Sequence, residues 1–171
     1  MIKEKKIFVF LLLGAMLLSL IYIRGRSLYP KVIEANICHQ LENETIQEES
    51  NKLAKIECFT KLRLEVADTL AKQKKGLAGR SNLSINEGML FSFGMPTQPT
   101  FWMKGMNFPL DFLWIRDGII VEITENVPPP RGYEYPRLVK PQQPVTQLIE
   151  TKGGLVKEKG IKIGDVIKKA D

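Results

Sequence analysis

Between Ile7 and Ile23 the chain runs IFVFLLLGAMLLSLIYI without a single charge. No other feature limits its folding as strongly. A helix rising 1.5 Å per residue over this stretch covers most of a hydrocarbon layer of about 30 Å, at the short end of the spanning range. Lys3, Lys5 and Lys6 precede it, and Arg24 and Arg26 follow. The exit Leu20-Ile21-Tyr22-Ile23-Arg24 lacks the small-x-small pattern of a cleavage site. Residues 1–23 therefore read as an uncleaved anchor, a single N-terminal transmembrane helix, in preference to a cleaved signal. Basic residues are nearly balanced on the two flanks. The orientation then follows from the short basic N-terminus, which stays cytoplasmic and puts the rest of the chain on the extracytoplasmic side.

Residues 24–55 read as a connector. Ile33, Ile37 and Leu41 recur every four residues, which predicts one stripe of a short helix, and the following ETIQEES is polar and acidic. From residue 56 to 171 the pattern changes to that of a folded domain. Ile56, Cys58, Leu62, Leu64 and Val66 share one parity, while Glu57, Lys61, Arg63 and Glu65 take the other, the period of a half-buried strand. Asp68 or Thr69 caps a helix running to about Gly79, with Leu70 and Leu77 on its inner face and Gly76 marking close packing or an early end. GMLFSF and PTFWMK follow as strands, and DFLWIRDGIIVEI reads as a hairpin turning at Asp117-Gly118. A proline-rich loop spans 127–144. PVTQLIE, one helical turn stopped by Gly160, and IKIGDVI complete the chain. Sequential strands with short turns predict a mostly β (α+β) domain, a compact antiparallel barrel or sandwich with one main helix.

The net charge of +6 is spread thinly, and its densest cluster, Lys72, Lys74 and Lys75, lies on the predicted helix. A nucleic-acid binder shows a dense basic stripe, so no nucleic-acid partner is expected. The only histidine, His39, and one of the two cysteines, Cys38, fall in the predicted connector. No four-ligand zinc set, and no triad or Cys–His dyad within 56–171, is then available, and neither a metal nor a cofactor is expected. Cys38 and Cys58 either form a disulfide, if the domain is exported, or stay as thiols; two cysteines do not decide.

Chemistry is sought first at Trp102, Lys104 and Asp111. Alternation puts Trp102 and Lys104 on one face, and the excursion ending at Pro109 is expected to bring Asp111 close. Together they form either a site for a small polar ligand or an ion pair that merely orients the loop. Arg80, Glu87 and Asn126 are secondary candidates. Arg80 suits the end of the helix, and Glu87 with Asp111 are the two carboxyls a hydrolase would use. Asp165 is expected to close a turn. Tyr133 and Tyr135, among prolines, suit an interaction loop for a protein partner.

The order of motifs from Leu62 to Ile167 resembles the family known as domain of unknown function 192. AKQKKGLAGR at 71–80, GMLFSF at 88–93, FWMK at 101–104, PLDFLWI at 109–115, DGIIVEITENVPP at 117–129 and GIKIGD at 160–165 carry the resemblance. It implies a compact β-rich fold, often behind a signal or anchor, with no established activity. The family continues FWMK with Asn-Thr where this chain has Gly105-Met106. Many relatives also place cysteines where it has Pro130, Arg131 and Gly132. The expected function is a membrane-tethered, non-catalytic binding or assembly module whose partners are membrane lipid, through the anchor, and a protein or small polar ligand. The alternatives are a small hydrolase using Asp111, Glu87 and Lys104, and a structural domain without a ligand.

Overall fold

Alternation of apolar and polar side chains decides the first two strands of the computed structural model, which describes residues 30–41 and 55–170. The expected anchor lies outside the described residues. Strand β1 (Val32–Leu41) pairs antiparallel with β2 (Lys55–Val66), setting Ile33 opposite Leu64 and Ala35 opposite Leu62. This corrects the expected helical stripe and the boundary at residue 56, because the compact unit begins at Val32. A four-residue spacing is even, so it keeps side chains on one face of a strand as well as of a helix. Ala35, buried midway between Ile33 and Ile37, is the residue that distinguishes the two. Cys38 and Cys58 face each other where the register shifts and are joined by a disulfide. Past that irregularity Cys58 and Ile56 are exposed, so the inward parity of β2 holds only for Thr60, Leu62 and Leu64.

After β2 the chain crosses through helix α1 (Leu70–Lys75) and returns as β3 (Glu87–Thr97), parallel to β2. Parallel strands require such a crossover, and the sheet is therefore not purely antiparallel. Thr69 accepts a bond from the Lys72 amide at the helix start, while Gly76, at φ +52°, ends the helix one residue after Lys75. The helix is shorter than the expected run to Gly79, Leu70 is three-quarters exposed, and only Leu77, beyond the helix, is buried. The two-residue β4 (Phe101–Trp102) pairs with β7 (Leu138–Val139) in a separate small sheet. Strands β5 (Leu110–Arg116) and β6 (Ile119–Val127) form the expected hairpin, with both Asp117 and Gly118 at positive φ. Strand β8 (Val145–Lys152), helix α2 (Leu155–Lys159) and β9 (Val166–Lys169) follow. IKIGD is a turn and not part of the last strand. The hydrogen-bonded order β1-β2-β3-β8-β5-β6-β9 returns to β1, a closed barrel among the described residues.

Two apolar clusters result. One takes a side chain from every barrel strand, among them Ala35, Leu62, Leu90, Leu113, Ile120, Ile149 and Ile167, and so fills the interior. The other unites the opposite faces of β3, β5 and β8 (Met89, Phe91, Phe112, Trp114 and Leu148) with Leu77, from the crossover before β3, and Met103 and Met106, from the stretch after β4. Strand β5 is buried on both faces until Arg116 for this reason. Such double burial makes its apolar run continuous instead of alternating.

Candidate functional site

These covering segments do not seal completely against the barrel. A cavity of about 390 Å³ remains, within the range of small-ligand sites. Helix α1 and the turn after it supply one side through Gln73, Lys74, Lys75, Gly76 and Ala78. Phe91 and Phe93 of β3, with Phe101 and Trp102 of β4, supply aromatic walls. Phe91 meets Phe101 edge to face at 4.9 Å between centroids, and Phe93 meets it at 6.2 Å, so the rings present both faces and edges. Lys104 Nζ stands 5.6 Å from the Trp102 ring centroid.

Glu150 is the single carboxyl among the lining residues. It shares a parity with Leu148 on β8 and lies opposite Met89 and Phe112, so it points from the barrel's outer face into the second apolar cluster. It is 4% exposed, and among the described residues no donor bonds its carboxyl. Burial alone pushes this carboxyl up to about 8, which keeps it mostly protonated at neutral pH. Gly76 lets the backbone pass close by: a side chain there would start 3.5 Å from Glu150 Oε2 and 3.8 Å from Phe91. Glu150 does not appear among the residues chosen from the sequence. Its signal is an acid on the parity of Leu148, directly after the apolar pair Leu148-Ile149.

The structure keeps Trp102 and Lys104 together at this cavity and separates Asp111 from them. Asp111 is fully buried and shares the parity of Leu113 and Ile115, which face the barrel interior. Its Oδ1 accepts the Asn126 amide at 2.6 Å and its Oδ2 the Val156 amide at 2.9 Å. Gly154, the first residue of α2's cap, has no side chain to give, and Asp111 bonds the helix start instead. Asn126, at positive φ, takes part through its backbone. Glu87 pairs with Arg63 at 3.0 Å, since the parallel register sets these residues side by side. Arg80 grips both oxygens of Glu65 at 2.7 and 2.8 Å, which holds the Glu65 carboxyl below its usual range and the guanidinium above its own. Neither Arg80 nor Glu87 lines the cavity. Tyr133 and Tyr135 stand fully exposed on the loop between β6 and β7.

His39 is also corrected. Strand β1 carries it into the domain, where its ring stacks on Phe59 at 4.0 Å and Nδ1 meets Asp165 Oδ1 at 2.7 Å. Asp165 closes its turn as expected, accepting the Lys162 amide through Oδ2 at 2.8 Å. The pair ties β1 to the approach of β9, and the neighbouring Cys38 is committed to the disulfide. Among the described residues no three His, Cys, Asp or Glu side chains gather as a metal site, and no helix is long and apolar enough to cross a membrane.

The family model DUF192, described as an uncharacterized ACR, matches residues 52–169. No curated protein matches the chain. A crystal structure from Sinorhizobium meliloti 1021, provisionally described as a transcription regulator, is 25% identical with a TM-score of 0.66, covering 84% of this chain and 97% of that one. A protein of unknown function from Novosphingobium aromaticivorans DSM 12444 is 27% identical with a TM-score of 0.64, covering 84% of this chain and 89% of its own.

Proposed function

Because the chain belongs to the DUF192 family, an uncharacterized one, we propose its function from the cavity itself: a non-catalytic binding module that seats a small ligand between aromatic walls and Glu150. One observation carries this reading, the buried carboxyl of Glu150, unpartnered among the described residues and lining an open cavity. A carboxyl desolvated by burial, with only the cavity before it, is costly to charge without a counter-charge. Violations of this kind cluster at functional sites, where a ligand supplies what the fold withholds.

The hydrolase reading is less well supported. Glycoside hydrolysis calls for two carboxyls about 5–10 Å apart across the substrate. Glu150 is alone in the cavity lining, Glu87 is held by Arg63, and both oxygens of Asp111 are occupied by backbone amides.

The test is a titration of the full-length chain, in maltoside micelles, with a panel of small neutral, anionic, cationic and zwitterionic compounds. It is followed by NMR shifts and by the fluorescence of the half-exposed Trp102. At least one compound is expected to move Ala78, Phe101 and Trp102 together. A panel that moves none of them, or moves only distant resonances, refutes the reading.

The module is further proposed to be tethered by Ile7–Ile23 with the barrel on the extracytoplasmic side. The Cys38–Cys58 disulfide supports that side, because such bonds persist in oxidising compartments. Fractionation tests it: full-length protein recovered in the soluble pool without N-terminal trimming would contradict the tether. The exposure of Tyr133 and Tyr135 supports the proline-rich loop as a contact for a protein partner.

A further inference from the structure

We propose that the cavity selects a zwitterion: an alkylated ammonium group seated against Glu150 and the rings of Phe91, Phe101 and Trp102, with an anionic group held by the lysines of the lining. This rests on the reading of the cavity as a ligand site and adds the class of ligand.

The lining has two chemical characters. Glu150 is buried at the barrel face among Phe91, Met89 and Phe112, whereas Lys74, Lys75 and Lys104 are exposed. The exposure of the lysines sets them toward the mouth, and the burial of Glu150 sets its carboxyl at the floor. The residues placed beside Glu150 are Gly76 from the turn after α1, Met89 and Phe91 from β3, and Phe112 from β5, and the rest of the lining adds Lys74 and Lys75 of α1 and Lys104 after β4. The lysines alone among them titrate.

Candidate ligands differ in what they do for this acid. A hydrocarbon fills the aromatic volume and leaves the carboxyl unpartnered. An anion driven to the same depth leaves the lysines behind and gives up its hydration where neither the rings nor the acid offers a counter-charge. A cation with an alkyl coat satisfies everything at once: its charge pairs with the carboxylate, its methyl groups lie on the rings, and ring quadrupoles attract it. The lysines then call for an anion at the other end of the same molecule, since a simple cation would meet repulsion on entry. About 390 Å³ is room for a molecule of this size and not for a folded segment.

Binding must ionise Glu150, so it releases a proton. With the free carboxyl near 8, the need to ionise weakens the apparent affinity about tenfold at pH 7 and hardly at all at pH 9.

Phosphocholine is the probe. Calorimetry on the full-length chain in maltoside is run with phosphocholine and with 3,3-dimethylbutyl phosphate, which replaces the nitrogen by carbon and keeps shape and anion. The expected results are about tenfold or more preference for phosphocholine, release of close to one proton at pH 7, and about tenfold tightening between pH 7 and pH 9. Glu150→Gln should abolish the preference and the proton release.

Equal binding of the two phosphates to the cavity would overturn the zwitterion proposal while leaving the ligand site standing. Binding of neither would also overturn it, and the broad panel above judges the site separately. Phosphatidylcholine vesicles tell the sources of the headgroup apart. Capture on vesicles that soluble phosphocholine competes away supports a lipid headgroup, and soluble binding without capture supports a free zwitterion.

Discussion

Replacing Glu150 by glutamine removes one ionisation and little else, so the cost of keeping this acid can be measured as a difference. In the folded chain burial pushes the carboxyl up to about 8 from its usual 4.5. The unfolded chain releases the proton near 4.5, so between these values the folded state holds a proton that the unfolded state has lost. Stability is then fully present below pH 4.5, falls as pH rises, and levels off above about 8. The slope is about 1.4 kcal/mol per pH unit, so roughly 3–4 kcal/mol disappears between pH 5 and pH 8. Glu150→Gln keeps the size and polarity of the side chain and has no such slope. Urea unfolding of both proteins at pH 5, 6, 7 and 8 gives the comparison, because every other titrating group contributes equally to each. The two should agree within about 1 kcal/mol at pH 5, with the variant ahead by about 3 kcal/mol at pH 8. Parallel profiles would refute the reasoning, since they would mean that water or a donor already reaches the carboxylate. A variant weaker at every pH would refute it too.

Three further outcomes follow from the fold. Asp111→Ala leaves two amides, of Asn126 and Val156, without their shared acceptor. It should cost about 2–4 kcal/mol in urea unfolding with ligand binding at the cavity retained, and wild-type stability would contradict the structural role given to Asp111. Gly88→Ala sets a Cβ 2.5 Å from the Glu150 carbonyl oxygen, where two strands meet. A loss of about 1–3 kcal/mol is expected, and an unchanged melting temperature would contradict that close approach. Reduction of Cys38–Cys58, which closes a loop of 20 residues, should lower stability by about 3 kcal/mol. Two titratable thiols in the oxidised, unfolded protein would contradict the bond itself.

Local chemistry was the legible part of this chain. Asp117-Gly118 announces its hairpin because few dipeptides accept two positive φ values. Gly76 marks the early end of α1 for a related reason. The pairing of Trp102 with Lys104 follows from neighbouring positions on one short segment. What failed were inferences that depend on distant partners. Asp111 sits one turn of chain from Lys104, yet its parity with Leu113 sends it into the barrel, and its partner Val156 is 45 residues away. Spacing alone could not tell β1 from a helix, and with β1 misplaced, His39 and Cys38 were left outside the domain they help to close. Glu150 was legible as an acid on the parity of Leu148. The cavity that gives it meaning exists because two separate segments, the crossover of about 20 residues from Ala67 to Asn86 and the stretch around β4, lie over the outer face of β3, β8 and β5.

The carboxyl carbon of Glu150, followed by NMR across pH in the free protein and again with saturating phosphocholine, tests the site most directly. The free carboxyl should titrate near 8 and fall below 7 once the ligand's cation is seated beside it. A carboxyl that titrates near 4.5 in the free protein would contradict the site as described, and one that phosphocholine leaves where it was would contradict the seating of a cation beside it.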